Sequence, residues 1–64
     1  MKLYIYSVSD MHHIATVSGD TNSACERAAS AAYDLNDEYA TTYTPAFGSV
    51  DGILENENAE QITA

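Results

Sequence analysis

Apolar and polar side chains alternate at the start of the chain, and a polar turn divides the run in two. Residues 2–8 (KLYIYSV) and 12–18 (HHIATVS) are rich in β-branched and aromatic side chains, which predicts two strands. Residues 9–11 (SDM) are typical of a turn, and so short a connection predicts an antiparallel hairpin. Both faces of the first strand are partly apolar. We therefore expect an inner strand with one side under a helix and tyrosines on the other.

A helical pattern follows over residues 23–39. Ser23 and Glu26 fit a capping box, with Asp20, Thr21 and Asn22 as alternative caps. At helical spacing, one apolar stripe contains Cys25, Ala28, Ala32, Leu35 and Tyr39. The opposite face contains Glu26, Ser30, Asp34, Asp37 and Glu38, with Tyr33 at its edge. This pattern predicts an amphipathic helix packed on a sheet.

The rest of the chain predicts a second hairpin. Residues 40–44 and 49–54 are expected to form strands around a turn at 45–48, with Phe47 folded back on the core. Gly52 predicts a bulge or a close backbone approach, and residues 55–64 predict a frayed C-terminal tail or a weak terminal turn. The order ββαββ over residues 1–54 predicts one α+β domain, a two-layer sandwich with a mostly antiparallel sheet.

Charge is distributed unevenly. The net charge is −8, and Lys2 and Arg27 are the only cationic residues apart from two histidines. All seven charged residues in positions 34–64 are carboxylates. Direct nucleic-acid binding is disfavoured, because its affinity comes mainly from cations that neutralise phosphates. The asymmetry favours an interaction face for a basic partner, although acidity also aids solubility.

Size and cysteine content point to an intracellular chain that depends on good packing or association. A chain of 64 residues buries only about 60% of its unfolded surface. Cys25 is the one cysteine, so an internal disulfide is excluded, and two histidines with one cysteine fall short of a closed zinc site. The sequence shows no signal peptide and no membrane span. We expect a cytoplasmic protein.

No residue pattern predicts catalysis or a cofactor. Asp10, His12 and His13 suggest a metal or acid–base site, but adjacent strand residues point to opposite faces, and an exposed polar turn is the preferred interpretation. Cys25 falls on the buried stripe and is expected to be a packed core residue instead of a nucleophile. The alternation of Asp34, Asn36 and Glu38 lacks the twelve-residue calcium loop. We expect a protein without enzymatic activity, cofactor or metal.

The C-terminal half of the predicted helix gives the strongest functional signal. Asp34, Asp37 and Glu38 fall in its last turns, where the helix dipole disfavours anions by roughly 0.3–1 kcal/mol each. No Lys or Arg is placed to compensate, and such uncompensated features are often functional. Tyr33, beside this face, is the best candidate for an interface anchor among the five tyrosines.

In size, acidity and predicted architecture the chain resembles phage-encoded inhibitors that occupy nucleic-acid-binding surfaces, of which anti-CRISPR proteins are the largest group. The residues on which the resemblance rests are Glu26, Asp34, Asp37, Glu38, Asp51, Glu55 and Glu57, with Tyr33 as the added anchor. The resemblance implies carboxylates that replace phosphates and occlude a basic groove of a nucleic-acid-binding protein, such as a CRISPR effector subunit. The alternative is a structural or adaptor domain that forms a homodimer through its sheet edge or its tyrosine face.

Overall fold

A computed structural model describes all 64 residues as one helix packed against a four-stranded sheet. The elements are β1 (Lys2–Ser7), β2 (His12–Ser18), α1 (Asn22–Ala32), β3 (Tyr39–Thr42) and β4 (Glu60–Thr63). The order in the sheet is β3-β1-β2-β4. β1 pairs antiparallel with β2 and β3, whereas β4 lies parallel to β2. The predicted α+β class and the inner position of β1 are confirmed, and the sheet is mixed.

The β1–β2 hairpin contains a bulge that rearranges its side chains. Leu3 lies opposite Val17 and Ile5 opposite Ala15, but Tyr6 lies opposite His13, so Ile14 is an extra residue on β2. Because successive side chains of a strand alternate between faces, the extra residue moves the side chains before it to the other face. His13 therefore leaves the helix side of the sheet.

Helix α1 is shorter than the sequence pattern predicts. It begins after Thr21, whose hydroxyl oxygen accepts from the Ala24 amide at 3.1 Å, so the cap is Thr21, one of the predicted alternatives, and not the Ser23–Glu26 box. It ends at Ala32, and Tyr33 is extended at φ −138° and ψ 151°. Asp and Asn are weak helix formers, and residues 34–37 contain three of them, which favours a turn over a continued helix.

The second half of the sheet differs most from the prediction. β3 forms at Tyr39–Thr42, close to the expected 40–44, but residues 49–54 form turns and a single bridge from Leu54 to His12. The fourth strand is instead Glu60–Thr63, in the segment expected to fray. Ala59 is buried and Ile62 packs against the core, so two apolar side chains separated by polar residues are enough to dock this segment beside β2.

Two apolar clusters lie on opposite faces of the sheet. The helix-side core consists of Leu3, Ile5, Ala15, Val17, Cys25 and Ala29. On the other face, Phe47 folds back on the sheet as predicted, with its ring centroid 5.4 Å from Tyr4 and 5.2 Å from His13. Ile53 is buried, so the 43–54 loop adds apolar cover on a face that a two-layer sandwich would leave open.

Candidate protein-binding surface

Three connecting segments meet at one end of the sheet. Ser7, the last residue of β1, pairs with His12 on one side and Tyr39 on the other, and Leu54 bridges to His12. The β1–β2 turn, the α1–β3 connection and the segment after Leu54 therefore share this end. Their carboxylates are exposed, and we refer to them together as the acidic end: Asp10, Asp34, Asp37, Glu38, Glu55 and Glu57.

The α1–β3 connection holds three members of the acidic end. The Asp34 carboxylate accepts from the Asn36 amide at 3.2 Å, which closes a local turn. The Glu38 carbonyl accepts from the Val8 amide at 2.9 Å and fixes the connection to the end of β1. The sequence analysis placed Asp34, Asp37 and Glu38 on the last turns of the helix. That prediction is wrong, because the helix ends at Ala32 and all three residues lie beyond it. The proposed conflict with the helix dipole does not arise.

The segment after Leu54 places the next two carboxylates. The Leu54 amide donates to the Met11 carbonyl at 2.7 Å, and the Leu54 carbonyl accepts from the His13 amide at 2.9 Å. The Asn56 amide then donates to Nδ1 of His13 at 3.4 Å, and a turn follows. Glu55 and Glu57 flank this anchored asparagine, so they remain exposed along the edge of β2.

Cationic residues lie away from the acidic end. Lys2 pairs with Ser18 at the opposite end of the sheet, where the Met1 amino group donates to the Gly19 carbonyl at 2.9 Å. β1 is six residues long, which corresponds to about 20 Å of strand between the two ends. Arg27 is exposed on α1. One end of the sheet thus has six carboxylates and no Lys or Arg, whereas the other has Lys2 and the Met1 amino group beside a single side-chain carboxylate, Asp20.

Two carboxylates of the predicted interface lie elsewhere. Glu26 is in the first half of α1, where it accepts from the Tyr43 hydroxyl at 2.9 Å. Asp51 is exposed on the 43–54 loop, which covers the sheet face opposite the helix. The segments that meet at the acidic end thus carry Asp34, Asp37, Glu38, Glu55 and Glu57, whereas Glu26 lies on α1 and Asp51 on the 43–54 loop.

Tyr33 is tied into the fold, which limits it as an interface anchor. Its hydroxyl donates to Glu60 at 2.6 Å, and its ring meets that of Tyr39 edge-on at a centroid distance of 5.2 Å. The hydrogen bond to Glu60 and partial burial raise the pKa of Tyr33 to about 12. Tyr43 is more exposed than Tyr33. Its pKa is also raised, mainly by partial desolvation and to a lesser extent by the hydrogen bond to Glu26.

His13 is buried, contrary to the predicted exposed turn, and it has a structural role. Its Nδ1 accepts from an amide, so Nε2 carries the proton and donates toward the Ala15 carbonyl at 3.1 Å and the Thr16 hydroxyl at 2.8 Å. With Tyr4 and Phe47 around the ring, His13 joins β2 to the loop and to the acidic end. His12 is half-buried and does not converge with it on a metal.

No cluster in the structure has the composition of a metal or nucleophile site. No group of three His, Cys, Asp or Glu side chains converges closely enough to hold an ion. Cys25 is fully buried, as the apolar stripe predicted, with its sulfur 4.0 Å from the Val17 carbonyl oxygen. A buried thiol of this kind behaves as a small apolar side chain.

Two functional residues lie outside the predicted interface: Asp10, a member of the acidic end, and Glu60, the partner of Tyr33. Asp10 could have been found, because the turn of a hairpin and the connection that leads into the neighbouring strand lie at the same end of a sheet. Glu60 could not, because it belongs to the segment expected to fray.

No protein-family model, curated protein or solved structure matches the chain. The single helix has 11 residues, and it is neither long nor apolar enough to cross a membrane. The chain's own charge distribution and geometry are therefore the basis for a functional proposal.

Proposed function

We propose that the chain binds a basic, nucleic-acid-binding surface of another protein through its acidic end and blocks access of the nucleic acid. One observation supports this most directly: the topology gathers six exposed carboxylates at one end of the sheet and leaves Lys2 at the other. Such an end attracts Lys and Arg side chains and is repelled by phosphates.

Occlusion requires no chemistry from the chain. Carboxylates of the acidic end occupy the Lys and Arg side chains that would otherwise contact phosphates, so partner and nucleic acid compete for the same cations. Because charge steers the encounter, the association rate should fall as salt rises. The narrower form of the proposal, drawn from the resemblance to anti-CRISPR proteins, is that the target is a DNA-binding groove of a CRISPR effector complex.

The experiment is a competition between the chain and labelled DNA for purified CRISPR effector complexes, read by fluorescence anisotropy. The test variant Asp34→Asn/Asp37→Asn/Glu38→Gln removes three charges from the acidic end. The control variant Asp20→Asn/Glu26→Gln/Asp51→Asn removes three charges from elsewhere. We expect displacement of DNA by the native chain and by the control, and displacement weakened about tenfold or more for the test variant, since each charged contact contributes about 0.5–1 kcal/mol or more.

Equal loss in both variants would show that net charge alone, and not the acidic end, determines binding. Absence of displacement for every effector tested would reject the CRISPR form of the proposal. Capture of native chain, but not of the test variant, by a different DNA-binding protein would retain the general form.

A further inference from the structure

Strand β3 presents an open backbone edge. The β1–β3 register ends at Ser7 opposite Tyr39, and the Val8 amide donates to the Glu38 carbonyl at 2.9 Å one position beyond it, so this position continues the ladder as a hydrogen-bonding one. Such pairs alternate along an antiparallel ladder, which directs the backbone groups of Ala40 and Thr42 toward β1. The N–H and C=O groups of Tyr39 and Thr41 therefore point away from the sheet, at its edge.

Apart from its short length of four residues, this edge lacks the features that usually protect edge strands. Natural proteins place charges, prolines or bulges on exposed edges to prevent pairing with other chains. β3 has the sequence YATT, with no charge or proline, and its register with β1 is unbroken. The opposite edge strand, β4, has the same length, but it begins with the charged residue Glu60. β3 is thus the edge better suited to accept an additional strand.

The start of β3 also has a charged cleft beside it. A cleft of about 420 Å³ is lined by Ser7, Val8, Ser9, Asp37, Glu38 and Tyr39. Val8 is 46% exposed there, which offers an apolar contact next to two carboxylates. The long side chains of Lys and Arg combine an apolar stem with a cationic head, so they fit this pairing of surfaces.

We infer that β3 receives an extended, basic segment of the partner protein as a fifth strand, with a Lys or Arg of that segment in the cleft beside Asp37 and Glu38. This inference rests on the proposed function, because it specifies how a basic partner engages the acidic end. A second copy of the chain is the poorer occupant, since it brings another net charge of −8 to the same edge. Strand addition supplies affinity through the backbone, and the carboxylates select for positive charge.

The test uses a synthetic nine-residue peptide of alternating Lys and Val, and the same peptide with every backbone amide N-methylated. The two peptides have equal charge, but only the first can donate backbone hydrogen bonds. We expect the unmethylated peptide to bind about tenfold or more tightly, because several backbone hydrogen bonds at about 0.5–1.5 kcal/mol each separate the two. Isothermal titration at low salt measures the difference.

Amide hydrogen exchange locates the contact without any mutation. In the free chain, Ala40 and Thr42 should exchange slowly and Tyr39 and Thr41 quickly. With saturating unmethylated peptide, the Tyr39 and Thr41 amides should slow by about tenfold or more, reflecting the new hydrogen bonds. As a variant test, Thr41→Pro removes an outward N–H and should lower affinity to the level of the methylated peptide, whereas Thr41→Val should not.

Equal binding of both peptides, with no protection of Tyr39 and Thr41, would overturn strand addition and leave a purely electrostatic acidic end in place. Failure of both peptides to bind would overturn this inference together with its electrostatic premise. Protection that rises with protein concentration in the absence of peptide would show that a second copy occupies the edge. If Thr41→Pro does not fold, as judged by circular dichroism, the exchange data on the native chain decide.

Discussion

The Tyr33 hydroxyl donates a 2.6 Å hydrogen bond to the Glu60 carboxylate and so joins the end of α1 to the start of β4. Loss of this bond in Tyr33→Phe should lower the free energy of unfolding by about 0.5–1.5 kcal/mol at neutral pH. Tyr6→Phe, which removes a hydroxyl from the other face of the sheet, is the matched control. Urea denaturation of the three proteins measures the effect, and equal midpoints would show that the bond does not stabilise the fold.

The same contact predicts a dependence on alkaline pH. The pKa of Tyr33 rises from 10.0 to about 12 in the folded chain, so the native state holds the phenolic proton more tightly than the unfolded state does. The resulting stability is complete below pH 10 and is lost as pH rises toward 12. The stability difference between native chain and Tyr33→Phe should shrink over this range. Ultraviolet titration should show one late-ionising tyrosine fewer in the variant.

Residues 60–64 are expected to be essential for folding. β4 pairs with β2 over four residues, Ile62 lies opposite Val17, and the Ala64 amide donates to the Ser18 carbonyl at 2.7 Å. Deleting these residues removes the ladder and uncovers the core, at a cost on the order of 3–5 kcal/mol, comparable to the whole stability of so small a domain. The truncated chain should be largely unfolded by circular dichroism, and Gln61→Ala should be nearly native. A cooperative, native-like truncated chain would mean that the segment frays.

His13→Ala should be costly because the ring is 4% exposed and bonded through both nitrogens. The substitution leaves a cavity and unpaired partners, with an expected loss of about 2–4 kcal/mol. The neighbouring His12→Ala, at a half-buried position, should cost under about 1 kcal/mol. Thermal denaturation compares them. In His13→Ala, the Asn56 amide should also exchange faster, and an unchanged rate there would contradict the role of His13 in holding that segment.

Gly52 lies where no side chain fits. A Cβ on Gly52 would overlap the backbone carbonyl of Ala46 and approach the Pro45 carbonyl oxygen at 3.0 Å. Gly52→Ala should therefore distort the 43–54 loop and cost about 1–3 kcal/mol. Gly48 differs, because it has φ +81° and open space around it, so Gly48→Asn should be tolerated at under about 1 kcal/mol. Similar unfolding midpoints for both variants would contradict the close approach.

Charge repulsion at the acidic end should oppose folding. Asp37→Asn/Glu38→Gln is expected to raise the free energy of unfolding by about 0.3–1 kcal/mol and so to raise the unfolding midpoint slightly. Moderate salt should raise the midpoint of the native chain. Glu26→Gln removes one charge as well, but it weakens the bond from Tyr43, so its midpoint should not rise. Differential scanning fluorimetry across a salt series separates these effects. A midpoint that falls with salt would indicate that the carboxylates stabilise the fold.

Several features follow from local pattern alone. The alternation in residues 2–8 and 12–18 predicted β1 and β2, and the burial of Cys25 followed from its place on the alanine stripe. Phe47 folds back and Gly52 approaches another backbone, as turn chemistry and a glycine in an apolar run indicate. Each of these was indicated by residues near in sequence, and the tertiary contacts agree with the local preferences.

Tertiary structure decided the rest, because competition between segments is invisible to a local pattern. Helical spacing places Tyr39 on the apolar stripe of the predicted helix. In the structure the helix ends at Ala32, and Tyr39 packs against the core from β3. The fourth strand forms at Glu60–Thr63, where Ile62 packs against the core. The predicted strand at 49–54 does not form, and Gly52 within it lies against the backbone of Ala46. The sequence by itself determined that seven carboxylates follow residue 33 without a compensating cation. Only the strand directions, set by backbone pairing, gathered five of them with Asp10 at one end of the sheet.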